Sequence, residues 1–213
     1  MRTDRNCILR LSRYKTALKR LKSIGFARVF SDNLADATGV SATRVRKDFA
    51  QFGIRGNRKG GYAVDDLAGR LSEVLGTSKP QNVVVVGVGR IGMALLDYQG
   101  LRSEGIHVVA GFDINPGKLS RSGRIPILPL EELAATVARH DVRIGIIAVP
   151  ASAAQQAFDL LVTSGVKGIL NFAPAVLGGS DRALVANVDL AAELENLIYF
   201  VGNPAAGGEP SAE

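Results

Sequence analysis

A glycine-rich turn follows a run of four valines, and its spacing could hold the diphosphate of a nucleotide. Val83–Val86 are followed by Gly-Val-Gly-Arg-Ile-Gly and then by helix-favouring Met-Ala-Leu-Leu. In a strand, turn and helix of this kind, the first glycine permits the turn, the second lets a pyrophosphate approach, and the third lets helix and strand pack closely. The phosphates would lie at the amino end of the helix. The residues predicted to bind the ligand here are Gly87, Val88, Gly89, Arg90, Ile91 and Gly92.

An acidic residue closes the next predicted strand. Asp113 follows the apolar run 107–112, about 20 residues beyond the last glycine, where a contact with the ribose 2′-hydroxyl belongs. A carboxylate there would accept a hydrogen bond from the hydroxyl and repel a 2′-phosphate, which favours NAD(H) over NADP(H). The alternative is that Asp113 only forms the turn of the sequence Asp-Ile-Asn-Pro-Gly.

Two further predicted strands, over 143–149 and 167–172, end in residues that could touch the nicotinamide half of such a cofactor. Open α/β sheets bind ligands at the carboxyl ends of their strands. For each proline in these segments, the alternative is that it merely ends its strand. The candidates are Val149, Pro150, Asn171, Phe172 and Pro174.

Residues suited to catalysis or to metal binding are scarce. His107 lies at a strand start and His140 at a helix end, and we expect both to be structural. Cys7 is the single cysteine, so the sequence offers neither a Cys/His metal cluster nor an intramolecular disulfide. A dehydrogenase would also need a second pocket wall and an acid/base group, for which no segment remains. We therefore expect no catalytic residue, no metal and no enzyme activity.

Positive charge is concentrated in the first third of the chain. Residues 1–79 contain 17 Lys and Arg against 7 Asp and Glu, whereas residues 80–213 contain 9 against 13. This asymmetry is expected when one domain meets a polyanion, so the partner favoured for the first domain is nucleic acid. A well-solvated cationic surface is the alternative.

The spacing of apolar and capping residues in this basic segment predicts a helix-turn-helix. A helix over 10–24 precedes two short helices, which Ser31 and Ser41 would cap, with Gly39 in the turn between them. The second short helix would enter the major groove, with Ala42, Val45 and Phe49 turned inward. The residues predicted to face outward are Arg44, Lys47, Asp48 and Gln51, with Arg46 on a flank. Among them, Arg44 and Gln51 would read base edges, while Arg46 and Lys47 would contact phosphates.

The glycine-rich segment Gly-Ile-Arg-Gly-Asn-Arg-Lys-Gly-Gly-Tyr at 53–62 follows the predicted recognition helix. Its position predicts a β-hairpin wing whose cations reach phosphates or the minor groove, and the alternative is a flexible basic loop. With Ser41 at the helix start, the wing residues Arg55, Arg58 and Lys59 complete the predicted DNA contacts. Asp65 would then cap a fourth helix.

These elements predict an α/β protein with an N-terminal winged helix-turn-helix domain and a Rossmann-like parallel-sheet domain. An apolar terminal helix would either dock on its own sheet or exchange with a partner. With no membrane span and no signal peptide in the sequence, we expect a cytoplasmic protein that binds no membrane. The predicted segments are a DNA-binding domain over 1–76, a linker over 77–81, an NAD(H)-binding domain over 82–188, a terminal helix over 189–203 and a disordered tail over 204–213.

Several motifs in the same order resemble the Rex family of redox-sensing bacterial transcriptional repressors along nearly the whole chain. They include GVSATRVRKDF at 39–49, VGVGRIGMALLDY at 86–98, FDINP at 112–116, VPASAAQ at 149–155 and GVKGILNFAP at 165–174. The resemblance implies a homodimer that binds an A/T-rich inverted repeat in double-stranded operator DNA and is released by NADH. It also implies that the C-terminal helix is swapped between the subunits.

The same resemblance implies a redox switch that involves Tyr98 and Asp189, for which packing and capping are the alternatives. Thr16 stands where the family usually has an arginine that pairs with the aspartate aligned to Asp189. A lysine at 15 or 19 is a candidate replacement for that arginine. Two other functions remain open at this stage: a sensor of a different ligand such as a CoA derivative, and a DNA-binding protein in which NAD is only structural.

Overall fold

A computed structural model describes residues 4–57, 59–178 and 181–203 of the chain. Contacts within the chain divide it into two units, with the boundary between Lys79 and Pro80. Each unit has a hydrophobic core of its own. Arg58 and the predicted disordered tail lie outside the described residues.

The first unit is a small helical domain with one short antiparallel strand pair. Its core includes Leu11, Leu18, Val45 and Phe49, all fully buried, and Tyr14 contacts Phe49 edge to face. The elements in chain order are α1 (Arg5–Ser23), β1 (Arg28–Val29), α2 (Ser31–Thr38), α3 (Ala42–Gln51), β2 (Tyr62–Ala63) and α4 (Val64–Val74).

Two of the predicted helix caps are wrong. The helix α2 begins at Ser31 itself, and the side chain of Asn33 accepts a hydrogen bond from the backbone N–H of Phe30 instead. The helix α4 begins one residue before Asp65, because β2 runs directly into it and leaves Ala63 as the N-cap. Ser41 does cap α3, as predicted, since its hydroxyl accepts a hydrogen bond from the Arg44 amide.

The second unit is built on a six-stranded parallel sheet in the order β5-β4-β3-β6-β7-β8. The order reverses between β3 and β6, which is where an open α/β sheet forms a ligand-binding crevice. The predicted Rossmann-like sheet is confirmed. Its elements are β3 (Gln81–Val86), α5 (Arg90–Asp97), α6 (Gln99–Ser103), β4 (Ile106–Phe112), β5 (Ile127–Leu128), α7 (Leu133–Arg139), β6 (Ile144–Ile147), α8 (Ala151–Thr163), β7 (Gly168–Asn171), β8 (Leu184–Asn187) and α9 (Leu190–Gly202).

One side of β4 is only partly covered by a neighbouring strand. The short strand β5 pairs with Gly111 and Phe112 alone. Residues 106–110, which we call the open edge of β4, therefore have no strand partner on that side among the described residues. The sequence analysis predicted neither β5 nor β8.

The terminal helix α9 is exposed along its whole length. None of its residues is buried, although most of them are apolar. In the described part of the chain, no helix combines the length and the apolarity needed to cross a membrane. The exposed apolar side chains of α9 are Leu190, Leu194, Leu197, Ile198, Tyr199, Phe200 and Val201.

Candidate functional site

The glycine turn joins β3 to α5 at the point where the strand order reverses. Gly87 has φ 93°, and a Cβ there would lie 2.6 Å from the carbonyl oxygen of Ala148. A Cβ at Gly92 would lie only 2.0 Å from the carbonyl oxygen of Gly87, so this glycine permits the close packing of α5. Apart from its own chain neighbours, none of the described residues has an atom within 4 Å of a Cβ built on Gly89. The turn therefore has one open position at the start of α5, where backbone N–H groups lack helical partners.

Two clefts lie at the carboxyl ends of the strands, one on each side of this turn. The first cleft has a volume of about 420 Å³ and is lined by Gly87, Gly89 and Asp113 on one side and by Val149 and Pro150 on the other. The second cleft has a volume of about 560 Å³ and is formed by Ile91 together with the ends of β7 and β8. Phe172, Pro174 and Asp189 line it. This arrangement can receive a two-part ligand whose diphosphate crosses the turn.

Asp113 is held in the first cleft by three hydrogen bonds. Its Oδ2 accepts from the Val88 amide and from Nζ of Lys118, both at 2.9 Å, and its Oδ1 accepts from the Asn115 amide at 2.9 Å. Burial by itself would raise the pKa of Asp113, but the bonds from Asn115, Lys118 and Val88 outweigh it and hold the pKa below its ordinary value. The carboxylate is therefore ionised and paired with a cation.

Lys118 is a residue of this site that the sequence analysis missed. It lines the first cleft and forms an ion pair with Asp113. The sequence did contain a signal for this contact, because a cation five residues after an acid in a turn can fold back and pair with that acid. The pair weakens the argument that Asp113 alone repels a 2′-phosphate.

The side chain of Asn171 forms hydrogen bonds with the loop that follows it and with the neighbouring strand β8. Its side chain is 1% exposed, and its Nδ2 donates to the carbonyl oxygens of Ala173 and Ala175 and to Oδ1 of Asn187. Its Oδ1 accepts from the Ala173 amide. These contacts shape the wall of the second cleft, so the direct cofactor contact predicted for Asn171 stays a prediction.

The two residues of the predicted switch lie in different places. Tyr98 is 60% exposed and ends α5. Asp189 precedes α9, and its Oδ1 accepts from the amides of Ala191 and Ala192 at 3.0 and 3.1 Å. Among the described residues, no hydrogen bond joins Tyr98 to Asp189. Asp189 therefore caps α9, which is the structural alternative to a switch role that the sequence analysis left open.

On α3, the predicted recognition helix, most of the candidate DNA contacts are exposed. Val45 and Phe49 are fully buried, as predicted, and they fix this helix on the core of the first unit. Arg46, Lys47 and Gln51 are exposed, whereas Arg44 is half-buried. In the wing segment, Arg55 and Lys59 are exposed as well.

Asp48 corrects the sequence analysis, which turned it outward. It is 3% exposed, and it accepts hydrogen bonds from Nε and Nη2 of Arg10 at 2.6 and 2.8 Å and from the Tyr14 hydroxyl at 2.9 Å. Burial favours the neutral acid, but the bonds from Arg10, Tyr14 and Cys7 dominate and lower the pKa of Asp48. The side chain therefore fastens α3 to α1 and is unavailable for DNA.

The wing also differs from the predicted hairpin. The strand β2 pairs with β1, which precedes α2, in an antiparallel register that places Val29 opposite Tyr62. Within the glycine-rich segment itself, an isolated bridge joins Asn57 to Gly61. Local turn signals could not predict this pairing, because the partner strand β1 comes from an earlier part of the chain.

Fold and sites together define a DNA-binding regulator with a nucleotide-binding sensor unit. Residues 5–50 match the family model "Putative DNA-binding protein N-terminus", and residues 78–175 match "CoA binding domain". The chain is 45% identical to the redox-sensing transcriptional repressor Rex of Desulforamulus reducens, covering 90% of this chain and 92% of that one. It is 42% identical to Rex of Pelotomaculum thermopropionicum, with coverage of 90% and 91%. The chain belongs to the Rex family, as its motifs predicted.

Solved structures agree with this assignment over nearly the whole chain. The chain is similar to RSP, a Rex-family repressor, in its complex with NAD⁺ and operator DNA, with a TM-score of 0.86 and 31% identity. That comparison covers 97% of this chain and 95% of RSP. The complex of RSP with NADH gives a TM-score of 0.84, also at 31% identity.

Proposed function

We propose that this protein is a transcriptional repressor that binds operator DNA when NADH is low and leaves the DNA when NADH binds. The observation that carries the proposal is the glycine turn between two clefts at the switch point of the sheet, on a chain whose other unit is a helix-turn-helix. RSP, which the comparison covers to 95% or more, has been solved both with NADH and with NAD⁺ and operator DNA. Curated relatives carry the name repressor, which supports a regulator without catalytic activity.

In this proposal the first cleft takes the adenosine of NAD(H) and the second takes the nicotinamide. Asp113 and Lys118 would face the ribose. Val149 and Pro150 line the same cleft, so in this proposal they form the wall opposite the ribose, whereas the sequence analysis assigned them to the nicotinamide half. The diphosphate would bind the N–H groups after Gly89. Phe172 and Pro174 would then contact the nicotinamide ring.

We propose that DNA binding uses α3 and the wing. Arg44 and Gln51 would contact base edges in the major groove, while Ser41, Arg46 and Lys47 would bind phosphates. Arg55, Arg58 and Lys59 would reach the neighbouring phosphates or the minor groove. The domain limits proposed above, 1–76 for DNA binding and 82–188 for NAD(H), keep these two tasks in separate segments. The protein would act in the cytoplasm, because its proposed partner is chromosomal DNA.

The active form would be a homodimer that exchanges α9. The support is the apolar surface of this helix, which the described residues of its own chain leave exposed. A symmetric dimer presents two recognition helices to an inverted repeat whose half-sites are about 34–36 Å apart. We infer that NADH stabilises a dimer in which these helices no longer fit successive major grooves, since a ligand shifts an equilibrium only through its different affinity for the two states.

Fluorescence anisotropy of a labelled A/T-rich inverted-repeat duplex tests the proposal. At fixed salt, the protein–DNA complex is titrated separately with NADH and with NAD⁺. Loss of the complex with NADH and its persistence with NAD⁺ would support the redox sensor, and would show that Thr16 is compatible with switching. A complex that ignores both nucleotides would contradict it.

A CoA derivative is the second candidate ligand, and the match of residues 78–175 to a CoA-binding family model favours it. The two ligands differ at the ribose, because CoA carries a 3′-phosphate there. Mass and absorbance of any small molecule extracted from the purified protein would distinguish them. A bound thioester whose mass matches neither NAD⁺ nor NADH, and whose spectrum lacks the near-ultraviolet band of a reduced nicotinamide, would favour the CoA derivative.

A further inference from the structure

A third cleft of the second unit lies at the opposite end of the sheet from the glycine turn. It has a volume of about 290 Å³ and is bordered by the first residues of β3 and β4, the ends of α5 and α7, the helix α6 and the loop before β5. We call it the edge cleft. Among its lining residues, Tyr98 alone has a role in the function proposed above.

The edge cleft exists because β4 is left uncovered. The open edge of β4 lines it with four consecutive half-buried residues, 106–109. Inner strands of parallel sheets are normally covered on both faces, and an unpaired edge is normally blocked. Here α6 has only five residues, and β5 reaches only the end of β4. Apolar side chains and strand backbone therefore remain accessible at one place.

The charged groups around this cleft are all potential cations. Arg102, Arg124, His107 and His140 line it, and no aspartate or glutamate does. Within the described part of the chain, neither Arg102 nor Arg124 forms an ion pair. Guanidinium groups bind carboxylates and phosphates through paired hydrogen bonds. The apolar part of the lining comes from Leu96, Leu101, Ile106, Val108 and Ile125.

A helix connects this cleft to the proposed cofactor site. The helix α5 begins directly after Gly89, which lines the first cleft, and it ends with Leu96 and Tyr98 at the edge cleft. Tyr98 is also the residue that the family resemblance assigns to the redox switch. A ligand that fixes the end of α5 would therefore act on an element that also carries the phosphate-binding turn.

We propose that the edge cleft binds a small organic anion, a carboxylate or a phosphate on an apolar body, and that this ligand changes the affinity for NADH through α5. The apolar side chains of the lining and the two arginines, which form no ion pair among the described residues, define the ligand class. The binding of the anion is inferred from the edge cleft alone, whereas its effect on NADH affinity rests on the function proposed above.

The first test is an NMR titration of the full chain, labelled with ²H and ¹⁵N, with phenyl phosphate and separately with benzoate. Saturable shifts of the amides at 98–102 and 106–109 are expected with at least one of them. Inorganic phosphate and benzyl alcohol, which carry the anionic head or the apolar body alone, should bind more weakly. Equal binding of inorganic phosphate would overturn the ligand class, and no saturable shift with any probe would overturn the site.

The variant R102Q/R124Q should weaken binding by about tenfold or more, since each arginine supplies charge-assisted hydrogen bonds. R139Q/R143Q is the matched control, because both arginines are exposed and lie outside the cleft lining. An equal loss in the two variants would indicate a general charge effect and contradict the proposal.

The second test measures the Kd of NADH with and without saturating phenyl phosphate. A change of about fivefold or more is expected in the unaltered protein and none in R102Q/R124Q. A change that persists in the variant would indicate competition at the cofactor phosphates, and an unchanged Kd would refute the coupling. If the unaltered protein binds no NADH at all, the proposed function fails while the NMR titration still decides the edge cleft.

Discussion

At the scale of residues, two buried carboxylates show how neighbouring cations decide what an acid does. Asp48 is paired with Arg10 and fixes the recognition helix, whereas Asp113 is paired with Lys118 in a ligand cleft. Both have pKa values below the ordinary range, and Asp113 lines the first cleft. In each pair the cation neutralises the carboxylate. We therefore expect substitutions in the first pair to change stability and substitutions in the second pair to change ligand binding.

Replacing Asp48 by asparagine should lower the free energy of unfolding by about 1.5–3 kcal/mol, because Arg10 would lose a charged hydrogen-bond partner. The pKa of this carboxyl is depressed in the folded protein, so its contribution is complete above the ordinary value near pH ~3.9 and is lost as the pH falls through the folded-state pKa. Urea titrations at several pH values measure this. D36N, at an exposed acid of α2, is the control and should change little.

Replacing Lys118 by methionine should raise the preference for NADH over NADPH by about fivefold, the size of a partly exposed ion pair. Without the ammonium group, the carboxylate of Asp113 would face a 2′-phosphate unneutralised. Separate titrations with the two reduced nucleotides give the ratio, and the exposed K167M serves as the control. A smaller preference in K118M would show that Lys118 does not shield this carboxylate.

At the scale of elements, close packing between β3 and α5 positions the phosphate-binding turn. Replacing Gly92 by alanine would place a Cβ 2.0 Å from a backbone oxygen, which no rotamer can relieve. We expect G92A to lower both thermal stability and NADH affinity, the latter by more than about tenfold, because α5 must move away from the turn. In G69A, at an open helical position, the same substitution should be neutral or stabilising by about 0.5–1 kcal/mol. Similar effects of the two substitutions would contradict this account.

The elements also show what the sequence could and could not predict. The glycine turn, the valine strand and the capping of α3 by Ser41 are local signals, and the structure has all three. Asp48 was misplaced because helical periodicity allows positions 45, 48 and 49 on one face, and only the approach of α1 with Arg10 decides the matter. The strands β1, β2 and β5 have two residues each and form only by pairing with segments distant in the sequence. Local patterns cannot identify such partners. Asn171 and Lys118 likewise depend on contacts formed only after folding.

At the scale of the whole molecule, α9 is the feature that the isolated chain leaves unexplained. Replacing Leu194 and Leu197 by aspartate should convert the proposed dimer into a monomer and abolish tight operator binding, because charges would enter its apolar surface. Sedimentation velocity gives the oligomeric state and anisotropy gives the DNA affinity. E193Q on the same helix should keep both. A dimer that survives L194D/L197D would show that another surface holds the subunits together.

If the exposed surface of α9 is buried only in a dimer, operator occupancy should depend on the cellular concentration of the repressor. If two chains must associate before both half-sites of an operator can be occupied, then free chains and operator-bound dimers are linked by mass action. At concentrations below the dimer dissociation constant, occupancy would rise with the square of the chain concentration. Halving the supply of the protein would then lower operator occupancy about fourfold, so synthesis and dilution would act on the operator alongside the nucleotide signal.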